Sequence, residues 1–142
     1  MSSVVLVACG ATKLEESAPA SELYTGQLFR KARAYAERTG TAWFILSAEH
    51  GLLRPDTIVE PYDTRLPSSK ADRMAWGARA GAELEAELEE LEVDELVLLA
   101  GRAYVEPIVQ ALEGTELTLS EPMAGMMIGE RLSWLKRENA TS

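Results

Sequence analysis

Three side chains carry groups that could act as a nucleophile, an acid or a base: Cys9, His50 and Asp63. Cys9 follows an apolar run, and a thiolate there is nucleophilic when an imidazole or a helix N-terminus stabilises it. His50, the only histidine, suits general acid–base work, and Asp63 could act as a base, bind a ribose or stabilise an oxocarbenium ion. Structural roles remain open for each: a small buried hydrophobe, a tie between loop and sheet, and a turn residue.

Basic, aromatic and small residues supply candidate binding groups. Arg102 is favoured by position, because Gly101-Arg102 opens a predicted helix whose N-terminus can accept a phosphate. Tyrosine rings can stack on a base or bond to a sugar, and Gly125 permits close approach of the backbone to a ligand. Each basic residue alone is also compatible with a solvated surface position. The predicted substrate-binding residues are Lys13, Tyr24, Arg30, Ser47, Tyr62, Gly101, Arg102, Tyr104 and Gly125.

Apolar runs and helical periodicity predict the elements that position these residues. Strands are predicted over 4–8, 42–47, 95–100 and 117–119, where the sequence is apolar or β-branched. Helices are predicted over 22–39 with Ser21 as N-cap, over 69–91 with Ser69 as N-cap, and from Gly101 and about residue 127 onward. Residues 48–67, which contain three prolines, are predicted to form a long loop.

Strands that are apolar throughout and alternate with helices are typical of a parallel sheet covered on both faces. We therefore predict a single α/β domain over residues 1–142, Rossmann-like and three-layered, with a short, mostly parallel sheet of about four strands. Ligands bind such sheets beyond the carboxyl ends of the strands. Cys9, Ser47, His50, Gly101 and Gly125 all follow strand ends, so we expect them to converge on one edge.

Composition limits the classes of function. The chain has 142 residues, a formal charge of −9 and one cysteine, which excludes an internal disulfide and favours a reducing cytoplasm. The charge is uneven: residues 1–80 hold ten Lys/Arg against nine Asp/Glu, whereas residues 81–142 hold four against fourteen. One histidine and one cysteine argue against a metal site, and no apolar run is long enough to span a membrane. No cofactor is predicted.

Several motifs together resemble a family of small uncharacterised bacterial and phage domains. They are the Cys9-Gly10 pair with Lys13, ELYTGQLFRKA at 22–32, LSAEHGLL at 46–53, PYD at 61–63 and GMMIGERLSWL at 125–135. The resemblance covers nearly the whole chain. That family is distantly similar to YaaA-like proteins and to an accessory domain of archaeosine synthase, which implies work on a nucleobase, a 7-deazaguanine or a nucleic acid.

These observations lead to one main hypothesis and two alternatives. The main hypothesis is an enzyme that handles a nucleotide or modified nucleobase, free or within nucleic acid, and acts at an N-glycosidic bond as an N-glycosidase or nucleobase transferase. The first alternative is a binding or sensor module that uses the same crevice without turnover. The second is a subunit of a larger complex whose acidic helix docks a basic partner. Assembly into a homo-oligomer is compatible with each.

Overall fold

The computed structural model describes residues 2–140, which form an α/β fold of seven strands and five helices. The strands are β1 (Ser3–Ala8), β2 (Ala18–Pro19), β3 (Ala42–Ser47), β4 (Gly51–Leu53), β5 (Ile58–Val59), β6 (Glu95–Leu99) and β7 (Thr118–Ser120). The helices are α1 (Ala20–Leu23), α2 (Gln27–Thr39), α3 (Lys70–Leu88), α4 (Arg102–Ala111) and α5 (Ile128–Ala140).

The main sheet has five strands in the order β4-β3-β1-β6-β7. The four predicted strands are present and mutually parallel, with β1 paired to β3 on one side and to β6 on the other. The fifth strand, β4, lies in the segment predicted to be a loop and folds back antiparallel on β3, where Leu46 pairs with Leu52. Three residues are too few for periodicity to reveal a strand, and the exposed edge of β3 supplies the partner. A separate two-stranded sheet joins β2 to β5.

The first predicted helix is interrupted at Tyr24, which has extended backbone angles and separates α1 from α2. The interruption is held by tertiary contacts: Lys13 forms a β-bridge with Tyr24, and the Thr25 N–H donates to the Thr12 carbonyl at 3.0 Å. Ser21 consequently does not cap α2, the longer of these two helices, whose N-cap is Gly26. Burial of the Tyr24 ring, which is 1% exposed, outweighs the helical preference of the segment.

Each face of the sheet has its own hydrophobic core. Val5 and Val7 of β1 face the cluster that contains residues of α2 and α5, whereas Val4 and Leu6 face the cluster that contains residues of α3 and α4. This alternation follows from the two-residue period of a strand. Ser69 caps α3 as predicted, since its hydroxyl accepts a hydrogen bond from the Asp72 N–H at 3.1 Å.

Close packing of α3 on α4 depends on two glycines. Gly77 lies against Pro107, and Gly81 lies against Ala111, with no room for a side chain at either position. The contact brings Trp76 under the sheet, where its indole N–H donates to the Ser47 carbonyl at 3.0 Å. Among residues 2–140, no helix is both long and apolar enough to cross a membrane.

We expect Gly77→Ala to destabilise the chain by about 1–3 kcal/mol despite the better helix propensity of alanine. The new methyl group would lie 2.7 Å from the carbonyl carbon and oxygen of Pro107, so the two helices would have to separate. Gly129→Ala in α5 is the matched control, because nothing lies within 4 Å of its methyl position. Urea unfolding measures both, and equal stability of the two variants would contradict the packing argument.

Candidate functional site

The site is built where the order of strands reverses. After β1 the chain forms β3 on one side of β1 and later forms β6 on its other side, so the crevice between β1 and β6 is the switch point of the sheet. A cavity of about 240 Å³ opens there. Gly10 follows β1 and Gly101 follows β6, and both line it. Apolar side chains, including Phe29 and Met123, form its walls.

Two helices begin at this cavity. The N-caps of α2 and α4 are Gly26 and Gly101, and neither cap makes a side-chain hydrogen bond to its helix. Both glycines line the cavity. The first N–H groups of a helix lack partners within it and carry partial positive charge. Two helix N-termini with partial positive charge therefore border the cavity, and such N-termini suit an anion.

A guanidinium group completes the basic character of the cavity. Arg131, on α5, lines it, and its Nε donates to the Met126 carbonyl at 3.1 Å. A methyl group on Gly101 would lie 3.7 Å from Arg131 Nη1, which places the guanidinium beside the start of α4. Arg131 belongs to none of the four ion pairs found among residues 2–140.

Arg102, the residue predicted for this position from the sequence, has its side chain elsewhere. Arg102 is 83% exposed, its Nε lies 3.7 Å from Glu106, and it does not line the cavity. At the start of α4, the backbone of Gly101 and the Arg131 side chain of α5 therefore line the cavity, and Arg102 does not. Arg131 lies within the GMMIGERLSWL motif, and that motif is the sequence feature that could have pointed to Arg131 as a site residue.

Cys9 lies at the boundary between this cavity and a second one of about 210 Å³. Its N–H donates to the Leu46 carbonyl at 2.9 Å, which continues the pairing of β1 with β3. Its sulfur lies 3.3 Å from the Tyr104 hydroxyl. Asp63 also lines the second cavity, so two of the three predicted catalytic residues share it.

Buried hydroxyl groups connect three segments beside Cys9. The Tyr62 hydroxyl is 2.5 Å from that of Tyr24 and 2.7 Å from that of Ser47. The Ser47 hydroxyl also accepts a hydrogen bond from the His50 N–H at 3.0 Å. These contacts join the interruption before α2, the end of β3 and the loop that follows β5. They fix the Tyr62 segment against the sheet.

Lys13 lies above these rings. Its ammonium nitrogen is 4.6 Å from the centre of the Tyr62 ring and 5.7 Å from that of Tyr24, within the range of a cation–π interaction. The same nitrogen donates to the Ala11 carbonyl at 3.2 Å. Lys13 lines the second cavity, so the ammonium group is held at its edge.

Burial keeps the tyrosines of the site protonated. It raises the pKa of Tyr24 to about 12, against an opposing effect of the hydrogen bond to Tyr62. Burial also raises the pKa of Tyr62 and of Tyr104, and the charge of Cys9 acts in the same direction on both. At neutral pH these hydroxyls are therefore neutral groups that can donate hydrogen bonds.

The remaining predicted residues lie away from the two cavities. His50 is exposed and its ring stands edge-on to Tyr62, 5.3 Å between centres, in a separate groove with Glu60. Arg30 faces a groove on the outer side of α2. Gly125 has a φ of 76°, which explains the glycine by backbone geometry. Among residues 2–140, no group of three His, Cys, Asp or Glu side chains is arranged to hold a metal ion.

Spectrophotometric titration tests the buried hydroxyl groups. The pKa of each of the four tyrosines is raised by burial, so we expect the folded chain to titrate well above pH 10 and the chain in denaturant to titrate near it. Because the folded state then holds these protons more tightly, stability should fall as the pH rises from about 10 towards 12. If the tyrosines of the folded chain titrate at the same pH as those of the chain in denaturant, the hydroxyls are solvated and the prediction is wrong.

Known proteins place the chain by family and fold. The uncharacterized protein YfjM of Bacillus subtilis (strain 168) is 28% identical over 148 residues, covering 96% of this chain and 95% of that protein. The crystal structure of AF0587, a protein of unknown function, superposes with a TM-score of 0.55 and 14% identity over 99% of this chain. The chain spans only 45% of that structure. Because the identity is only 14%, the superposition supports a shared fold and nothing more.

The resemblance to YaaA-like proteins and archaeosine synthase is not among these findings and stays a prediction.

The family model covers residues 4–137, which include every element except the first residue of β1 and the last residues of α5. The chain therefore belongs to DUF6884, a family of unknown function.

Proposed function

We propose that this chain binds a nucleotide or a modified nucleobase in the cavity between β1 and β6. One observation carries the proposal: two helix N-termini without side-chain caps and the Arg131 guanidinium meet in one cavity with apolar walls. The polar groups suit a phosphate, and the walls suit a heterocycle. The position at a switch point is the usual one for nucleotides in Rossmann-like three-layer folds, and we include that fold class in the proposal.

Local charge supports an anionic ligand. The chain has a formal charge of −9, yet none of the side chains from residues 2–140 that line this cavity is a carboxylate. None of the acidic residues between Glu83 and Glu95 lines the cavity, and salt screens charge beyond about 8–10 Å. An anion in the cavity would therefore experience chiefly the two helix N-termini and Arg131.

Titration calorimetry with a panel of nucleoside monophosphates tests the binding site. We expect Arg131→Gln to weaken binding by about tenfold or more, since a charge-assisted hydrogen bond contributes about 1.5–3 kcal/mol. Arg102→Gln is the matched control, because it removes an equal charge at the same helix start but outside the cavity. Greater loss in the Arg102 variant would return the anion contact to that residue, and absence of binding to every ligand would refute the proposal.

We also propose that the N-glycosidic bond of the bound ligand is broken, with Asp63 as the stabilising carboxylate. Water or an incoming nucleobase forms the new bond to the anomeric carbon, and the departing base takes up a proton from solvent. Asp63 is the carboxylate of the cavity that adjoins Cys9, and a carboxylate near the anomeric carbon stabilises an oxocarbenium-like transition state. His50 is less suited to this role, because it lies in a separate groove on the far side of Tyr62. The resemblance to proteins that handle 7-deazaguanine supports the same class of bond.

Mass spectrometry of the products tests turnover. Asp63→Asn should retain ligand affinity within about threefold and lower the rate of base release by about 100-fold or more, because it removes charge that acts mainly in the transition state. Glu60→Gln is the control, since Glu60 lies in the groove of His50. A ligand that binds and keeps its mass on long incubation with the wild-type chain would instead establish a binding or sensor module.

A further inference from the structure

A second cavity adjoins the proposed nucleotide cavity. The two share the wall formed by Cys9, Gly10 and Ala11, the three residues that follow β1. The second cavity has a volume of about 210 Å³, and its charged side chains are Lys13, Asp63 and Arg65. Because the wall is common, a single ligand could reach from one cavity into the other past the Cys9 side chain.

The charges of this second cavity are not balanced by the protein. Lys13 and Arg65 take part in none of the four ion pairs found among residues 2–140, and they share the cavity with one carboxylate, that of Asp63. Taken together, the two cavities present Lys13, Arg65 and Arg131 against one acid, in a chain of formal charge −9. A local excess of positive charge on an acidic protein attracts anionic ligands.

Lys13 is also held in position before any ligand arrives. Its ammonium group donates to the Ala11 carbonyl on the shared wall and lies over the Tyr62 ring, which the Tyr24 and Ser47 hydroxyls fix in turn. Restricting a long side chain in advance lowers the entropy lost on binding. The ammonium group is therefore already positioned beside the boundary of the two cavities before a ligand binds.

The volume of the first cavity indicates that it takes only part of a ligand. At about 240 Å³ it is smaller than the roughly 300–1,000 Å³ of most small-molecule sites. A phosphate at the helix N-termini with an adjacent heterocycle would fill it. Any further polar group of the ligand would extend over Cys9 towards Lys13 and Arg65.

We propose that the second cavity binds a second phosphate of the same ligand, so that the substrate class is a nucleotide with two separated phosphates. This inference rests on the proposed function. Arg131 and the helix N-termini hold one phosphate, and Lys13 and Arg65 hold the other. A free nucleoside 3′,5′-bisphosphate and a nucleotide within a single strand of nucleic acid share this chemistry.

Calorimetry with matched ligands tests the inference. We expect adenosine or guanosine 3′,5′-bisphosphate to bind at least about tenfold more tightly than the corresponding 5′-monophosphate, because charge-assisted hydrogen bonds are added. Lys13→Gln/Arg65→Gln should abolish that gain, measured as the ratio of bisphosphate affinity to monophosphate affinity in the same variant. The control Lys70→Gln/Arg54→Gln removes equal charge from residues paired with Glu106 and Glu87, outside both cavities, and should keep the gain.

The outcomes separate this inference from the proposed function. A chain that binds monophosphates but gains nothing from the second phosphate would overturn the inference and leave the proposed function intact. A chain that binds neither ligand would overturn both. A gain that survives in the Lys13/Arg65 variant would also overturn the inference. A short single-stranded oligonucleotide distinguishes the sources: tighter binding than the free bisphosphate assigns the ligand to nucleic acid, and weaker binding assigns it to the free nucleotide.

Discussion

The structure depends on β1 being hydrogen-bonded along both edges and buried on both faces. Val4 to Val7 are at most 1% exposed, and β1 pairs in parallel with β3 and β6. Parallel pairing requires crossover connections, which place α2 with α5 on one face and α3 with α4 on the other. It also brings the carboxyl ends of three strands to one edge. Cys9 and Gly10 leave the sheet at the centre of that edge.

A neighbouring constraint is the network of buried hydroxyl groups around Tyr62. A buried polar group is costly without a partner, and here Tyr24, Tyr62 and Ser47 satisfy one another. The network requires Tyr24 to point inward, which is why the helix stops before it and begins again at Gln27. One result is structural, since the loop after β5 is fixed. The second result is that the N-terminus of α2 lies at the cavity.

Ion pairs engage some basic groups of the chain, whereas other basic groups line the two cavities. Glu106 lies near both Lys70 and Arg102, and Glu87 pairs with Arg54, so these cations are engaged along the outer surfaces of α3 and α4. Lys13, Arg65 and Arg131 line the cavities instead. An acidic chain can therefore present a basic edge, because the distribution of its charges matters more at short range than their sum.

The sequence by itself determined the α/β class, the four parallel strands, the cap at Ser69 and the edge at which Cys9 and Gly101 emerge, because these follow from local apolar runs and periodicity. Only the tertiary structure decided the interruption at Tyr24, the added strand β4 and the position of Arg131, rather than Arg102, in the wall of the cavity. Each of these depends on a partner distant in the chain: the Tyr62 hydroxyl, the free edge of β3 and the start of α4. Local patterns do not encode such pairings, since a side chain's direction is set by what packs around it.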